Sequence, residues 1–296
     1  MNRISGIIGM PWARANGFSG RGVTVAVLDT GACRHPDFAD RIVEFRDFEK
    51  GRHEIYDDNS HGTHVCGIIG GDGYMSGGRY CGVAPGCNLL PVKVLDDKGL
   101  GNVKSMLRGI EYLKEVRRKY NLRIVNISVG TLSNGNTEKF AELMEMVESL
   151  WDLGLIVVAA AGNEGPAEHS ITIPGTSKKI ITVGAYDDER NGSRRTKAYF
   201  SGRGPTDCCI MKPEIVEPGN GIISCSTSRN GYSMKSGTSM ATPVLSGILA
   251  LLLEKYPDMT NKDVKLRLYR RAVDLGLPKS RQGWGMIDIK GFLSDN

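Results

Sequence analysis

Short apolar runs alternate along this chain with longer stretches in which apolar residues recur every three or four positions. Residues 23–28 (VTVAVL), 88–95, 123–129, 155–160 and 180–183 are rich in β-branched residues and carry little charge, the pattern of strands buried on both faces of a parallel sheet. Between them, residues 103–120 and 137–153 read as amphipathic helices, the first with Met106, Leu107, Ile110 and Leu113 on one face. Strand and helix in alternation predict an α/β fold with right-handed crossovers. Residues 240–253 are apolar nearly all round, which predicts a helix inside the protein and not on its surface. After Pro257 the amphipathic pattern returns over residues 261–272. There is no internal repeat, low-complexity tract or obvious linker.

Composition narrows the class. At 296 residues and 40% hydrophobic content, the chain can bury one large core. Its 38 Lys and Arg against 33 Asp and Glu give a net charge of +5, but the basic residues are dispersed apart from clusters at residues 117–119 and Arg194-Arg195. Solvated helix faces explain these, and no nucleic-acid partner is expected. The longest apolar stretch, residues 248–253, falls far short of the ~20 residues a bilayer requires, and residues 1–10 carry no readable secretory signal. The expectation is a cytoplasmic protein with no membrane partner. Seven cysteines without a CxxC pair or zinc spacing fit a reduced compartment. Cys66, close to His61, is expected to make the protein sensitive to thiol reagents. Nucleotide binding is disfavoured, because the glycines of residues 17–22 precede a strand instead of following one and those of residues 70–78 lack a Lys-Ser/Thr ending.

Ligands of an open α/β sheet gather where strands end at their carboxyl edge. Asp29 stands there, closing the run 23–28 ahead of Thr30-Gly31, although a turn or helix-capping aspartate has the same appearance. His61 opens the segment NSHGTHVCG at residues 59–67, where polar residues lead into a glycine-punctuated apolar helix. The second histidine, His64, reads as structural, since the glutamate of a zinc helix is missing. Ser239 lies in SGTSMATP, residues 236–243, at the start of the buried helix, where unpaired backbone N–H groups favour developing negative charge. It is equally suited to be a plain N-cap. Asn163 ends the run 157–162 with an amide able to donate to an oxyanion, or with an ordinary turn before glycine.

Together these segments resemble the subtilisin-like serine proteases, on the motifs Asp29-Thr30-Gly31, His61-Gly62-Thr63-His64, Ala161-Gly162-Asn163 and Gly237-Thr238-Ser239-Met240-Ala241-Thr242-Pro243, with support from Gly82-Val83-Ala84-Pro85, Lys212-Pro213-Glu214 and Gln282-Gly283-Trp284-Gly285. The chain order Asp, His, Ser is the one already described for subtilisin. The resemblance implies a three-layer α/β fold, a mainly parallel sheet flanked by helices, with residues 1–21 as an N-terminal extension and 22–296 as the peptidase domain. It implies a serine endopeptidase acting on proteins or peptides through Asp29, His61 and Ser239, with Asn163 as oxyanion donor. It also implies a primary specificity pocket flanked by Ser128, Val129, Gly130, Ala160, Ala161 and Gly162, and a more distant apolar subsite bordered by Gly101, Val103 and Met106. Small wall residues suggest broad cleavage after bulky apolar or Met-like side chains. Residues 166–173 depart from the secreted relatives and are placed at the pocket floor. Asp57 and Asp58 offer a preference for a basic neighbour, or solvated loop charge. Asp37 matches a calcium ligand of the family, while the chemistry needs no cofactor. In character the chain is nearest the intracellular subtilisins. The alternative is a catalytically silent module that holds peptides in the same cleft.

Overall fold

Five apolar runs become adjacent parallel strands. In the computed structural model, which describes residues 1–130, 137–187, 189–190, 198–228 and 231–295, the strands are β1 (Thr24–Asp29), β2 (Arg46–Asp47), β3 (Asn88–Lys93), β4 (Leu122–Ile127), β5 (Ile156–Ala160), β6 (Ile181–Ala185) and, later in the chain, β9 (Ile215–Glu217). They form one parallel sheet in the order β2-β3-β1-β4-β5-β6-β9. Every residue of β1, β5, β6 and β9 is buried. Continuous apolar runs were needed because helices cover the sheet. Two antiparallel ribbons, β7 (Glu189–Arg190) with β8 (Ala198–Tyr199) and β10 (Ile222–Cys225) with β11 (Tyr232–Lys235), complete the strands. The basic pair Arg194-Arg195 lies outside the described residues.

The helices flank this sheet. Helices α3 (His61–Gly70) and α6 (Thr238–Lys255) pack on one another and on the sheet, and α4 (Val103–Val116) and α5 (Thr137–Asp152) do likewise. Helix α6 matches the all-round apolar run: Leu245, Ile248, Leu249 and Leu252 are each fully buried. Pro243 is tolerated because it sits near the helix start, where its missing N–H costs little. Helix α7 (Asn261–Arg271) begins with a reciprocal capping box between Thr260 and Asp263. Short helices α8 (Lys279–Gln282) and α9 (Ile289–Leu293) end the chain.

Residues 1–21, expected as an extension, place Met1, Ile4, Ile8, Met10 and Ala13 in the hydrophobic core. They form α1 (Asn2–Ile7), against β10, and α2 (Met10–Ala15), against α9. No helix among the described residues is long and apolar enough to cross a membrane. The order of the strands fixes where a site belongs. Strand β1 has β3 on one side and β4 on the other, so the winding reverses at its edge and a crevice opens outside its carboxyl end.

Candidate active site

Asp29, the last residue of β1, is fully buried at that crevice. Its Oδ1 accepts hydrogen bonds from Thr30 N–H at 2.7 Å and from His61 Nδ1 at 2.8 Å. Its Oδ2 has no hydrogen-bond partner among the described residues. A dry carboxylate with spare acceptor capacity favours a positive charge beside it. Burial pulls the His61 pKa down, but the charge and hydrogen bond of Asp29 outweigh it, so the ring titrates above the usual histidine range.

The helix that carries His61 is fastened to the turn that carries Asp29. Thr30 Oγ1 accepts from Gly62 N–H at 2.9 Å and donates to Asp57 at 2.9 Å. A Cβ on Gly62 would stand 2.1 Å from the Gly31 carbonyl oxygen, so only glycine lets helix and turn approach this closely. The same Asp57 carboxylate accepts from the backbone N–H groups of Asn59, Ser60 and Thr63 and from Thr63 Oγ1. It organises the loop before α3. Asp58 is paired with Lys50 and with buried Lys93, each at 2.8 Å. Burial raises the Asp58 carboxyl, but the two lysines prevail and hold it at about 2. Both carboxylates are thus already engaged within the loop.

A cavity of about 320 Å³ is lined by His61, Ser239 and Asn163, together with Thr30, Ser128, Val129, Gly130, Ala160 and Gly162. Ser239 is in the first turn of α6. Among the described residues its hydroxyl makes no direct hydrogen bond to His61, a common slackness before substrate tightens a site. The Asn163 carboxamide is oriented by its oxygen, which accepts from Thr238 N–H at 2.9 Å and Thr238 Oγ1 at 3.3 Å. That leaves its NH₂ group as the free donor. Ala161 lies beneath this wall, fully buried.

Residues that the sequence did not assign to the site also line the cavity, among them Thr172, Thr238 and Glu164. Thr172 comes from the segment placed at the pocket floor, and its Oγ1 is buried without a partner among the described residues. A Cβ on Gly130 would come within 2.1 Å of that oxygen. The glycines at 130 and 162 were the available signal, since small residues on facing walls mark something filling the space between. The distant subsite does not join this cavity. Met106 is buried and Gly101 is exposed, and the wall on that side is Leu95, Lys98 and Gly99. Met106 is on the buried face of helix α4, and Val103, its first residue, is half-buried.

Two histidine-segment expectations meet different outcomes. His64 is structural: its Nε2 donates to the carbonyl oxygens of Ile222 and Ser233, both at 3.1 Å, tying α3 to the β10–β11 ribbon. Burial, with smaller contributions from His61 and Lys235, pulls its pKa down to about 3, so it stays neutral. Cys66 is fully buried, and burial pushes its thiol far above the usual range. It is a poor target for thiol reagents, contrary to expectation.

Asp37 does not fit calcium. Its Oδ1 accepts from Met75 N–H at 3.0 Å and its Oδ2 from Tyr232 Oη at 2.8 Å, with Cys225 Sγ at 3.5 Å. Calcium takes six to eight oxygen ligands. Here the neighbours are N–H, O–H and S–H donors and an imidazole.

Comparison with known proteins agrees with this geometry. Residues 20–285 match the Subtilase family, Peptidase_S8. The chain is 42% identical over 266 residues to Serine protease AprX of Bacillus subtilis (strain 168), covering 83% of this chain and 60% of that protein. It is 34% identical over 281 residues to Intracellular serine protease of Paenibacillus polymyxa, covering 90% of this chain and 79% of that one. Among solved structures, Sphericase superposes with a TM-score of 0.75 at 31% identity, covering 86% of this chain and 84% of its own. A parallel sheet, an Asp–His pair at its switch point and a serine heading the buried helix thus occur in a chain that belongs to the subtilase family of serine proteases.

Proposed function

We propose that this subtilase is a serine endopeptidase, with Ser239 as nucleophile, His61 as general base and Asp29 orienting the ring. The observation that carries the reading is the 2.8 Å bond from His61 Nδ1 to buried Asp29, in a cavity that Ser239 also lines. That bond fixes the tautomer, leaving Nε2 to take the serine proton as the hydroxyl attacks the peptide carbonyl. The resulting imidazolium is stabilised by Asp29 and then protonates the leaving amine. Water repeats the sequence on the acyl-enzyme. The Asn163 amide and the Ser239 backbone N–H, at a helix start, donate to the oxyanion.

Ser128, Val129, Gly130, Ala160 and Gly162 form the walls of the primary pocket in this reading, and Thr172 its floor. A threonine there shortens the pocket, so the preferred side chain is of leucine or methionine size and not aromatic. Substrates are proteins or peptides. A cytoplasmic location is supported by seven cysteines that all remain free and by the similarity to an intracellular serine protease.

The test is labelling with a fluorophosphonate. One equivalent on Ser239 with peptide hydrolysis is expected, and neither in Ser239→Ala of unchanged circular dichroism. Labelling without hydrolysis of any peptide in a library would favour the silent peptide-holding module. Unchanged hydrolysis by Ser239→Ala would move the nucleophile elsewhere.

A further inference from the structure

The surroundings of Asp37 are unsuited to calcium but suited to a softer ion. His35, Asp37 and Cys225 are 0%, 0% and 1% exposed, and one ligand atom from each lies within 4.8 Å of the others. They come from the loop after β1 and the end of β10, which the fold brings together. His35 Nε2 faces the Gly231 carbonyl oxygen at 3.1 Å, and its Nδ1 accepts from Asp37 N–H at 3.2 Å. The proton is therefore on Nε2 and the Nδ1 lone pair points inward. That lone pair is held by Asp37 N–H, which an ion displaces on binding, and Nδ1 lies 3.5 Å from Asp37 Oδ1. Cys225 Sγ approaches the other carboxylate oxygen at 3.5 Å.

We propose that His35 Nδ1, the Asp37 carboxylate and Cys225 Sγ bind a zinc-like divalent cation. In a tetrahedral zinc site, bonds of about 2.0 Å to N and O and 2.3 Å to S place neighbouring ligand atoms roughly 3.3–3.5 Å apart. His35 Nδ1 and Cys225 Sγ each lie 3.5 Å from a different oxygen of the Asp37 carboxylate, and one ligand atom from each residue lies within 4.8 Å of the others, so the three draw together on binding. The ion displaces the thiol proton to solvent as the metal–sulfur bond forms, and thiolate, carboxylate and neutral imidazole then balance its double charge. A neutral cluster is what a dry interior tolerates. The outer hydrogen bonds are already in place: the Gly231 carbonyl fixes the imidazole tautomer, and Tyr232 Oη and Met75 N–H orient the carboxylate. The 3-10 turn Tyr74–Ser76, whose Tyr74 is 74% exposed and whose Met75 N–H bonds Asp37, is the adjoining surface element.

The experiment uses the full chain carrying Ser239→Ala, to prevent self-digestion, and Cys208→Ser with Cys209→Ser, to remove the exposed thiols. Zinc or cobalt(II) is added and the protein desalted. About one equivalent of metal should remain, cobalt should give a thiolate charge-transfer band in the near ultraviolet, and zinc should raise Tm. Cys225→Ser and His35→Asn should abolish the band and weaken retention by an order of magnitude or more. Should either variant fail to fold, zinc protection of Cys225 from alkylation in the parent, read by mass spectrometry, replaces it. No retained metal, a band that survives Cys225→Ser, or a calcium-induced rise in Tm equal to that of zinc would overturn the proposal.

Discussion

At the scale of single residues, the site separates groups that act from groups that aim them. Asn163 is aimed by Thr238, which binds its carbonyl oxygen and turns the NH₂ to the cleft. Asn163→Ala should lower kcat by about 10²–10³ with KM little changed, the cost known for subtilisin's own oxyanion donor. Steady-state kinetics on one peptide check this, and a pure rise in KM would contradict it. Thr172 is the corresponding determinant of size. Thr172→Gly opens the floor and should raise kcat/KM for phenylalanine relative to leucine by about 10–100-fold, measured on paired peptides. The four residues proposed to act were picked out because each sits in a run whose type is rare in that pattern. For the pocket floor the sequence pointed to the segment 166–173 but not to Thr172 itself, because its role depends on a loop folding back between two glycines distant in sequence.

At the scale of elements, Lys93 ties together pieces that must not drift. It ends β3 in register with Asp29, and its buried ammonium donates to the carbonyls of Thr30 and Leu95 and to Asp58. One side chain therefore joins the ends of β1 and β3 to the loop that delivers His61. Lys93→Met should cost about 3 kcal/mol in chemical denaturation, the low end for breaking a buried pair because Asp58 keeps Lys50 and some solvent. It should also lower kcat, since His61 loses its anchorage. A variant of unchanged stability would show that the three acceptors find other donors. Strand and helix positions were readable to within a few residues, as periodicity reports which face is buried. Residues 1–21 were not, because α1 and α2 are each only 6 residues long and supply apolar anchors too few to set a period.

At the scale of the whole molecule, one buried acid makes stability depend on pH. Glu217 is fully buried, its Oε1 accepting from Ile287 N–H at 3.2 Å and its Oε2 without a partner among the described residues. Burial pushes its pKa well above the ordinary 4.5, and the Ile287 bond offsets only part of this. In the unfolded chain Glu217 ionises near its ordinary value while the folded chain keeps the proton. Above that value the unfolded state binds fewer protons, so stability falls as pH rises towards the folded pKa. Glu217→Gln keeps the shape and removes the titration. It should raise Tm at neutral and alkaline pH and flatten its decline, measured by thermal melts between about pH 5 and 9. Parallel curves for the two proteins would refute the assignment. Such a carboxyl is invisible in sequence, because burial at the end of β9 depends on what packs over it.

Helix α6 is buried along most of its length, and the serine proposed as nucleophile rides on its tip. Fraying at the margins cannot reach that tip without dissolving the interior around it. Heat should therefore silence this enzyme all at once, with catalytic half-life set by the rate at which the entire architecture comes apart.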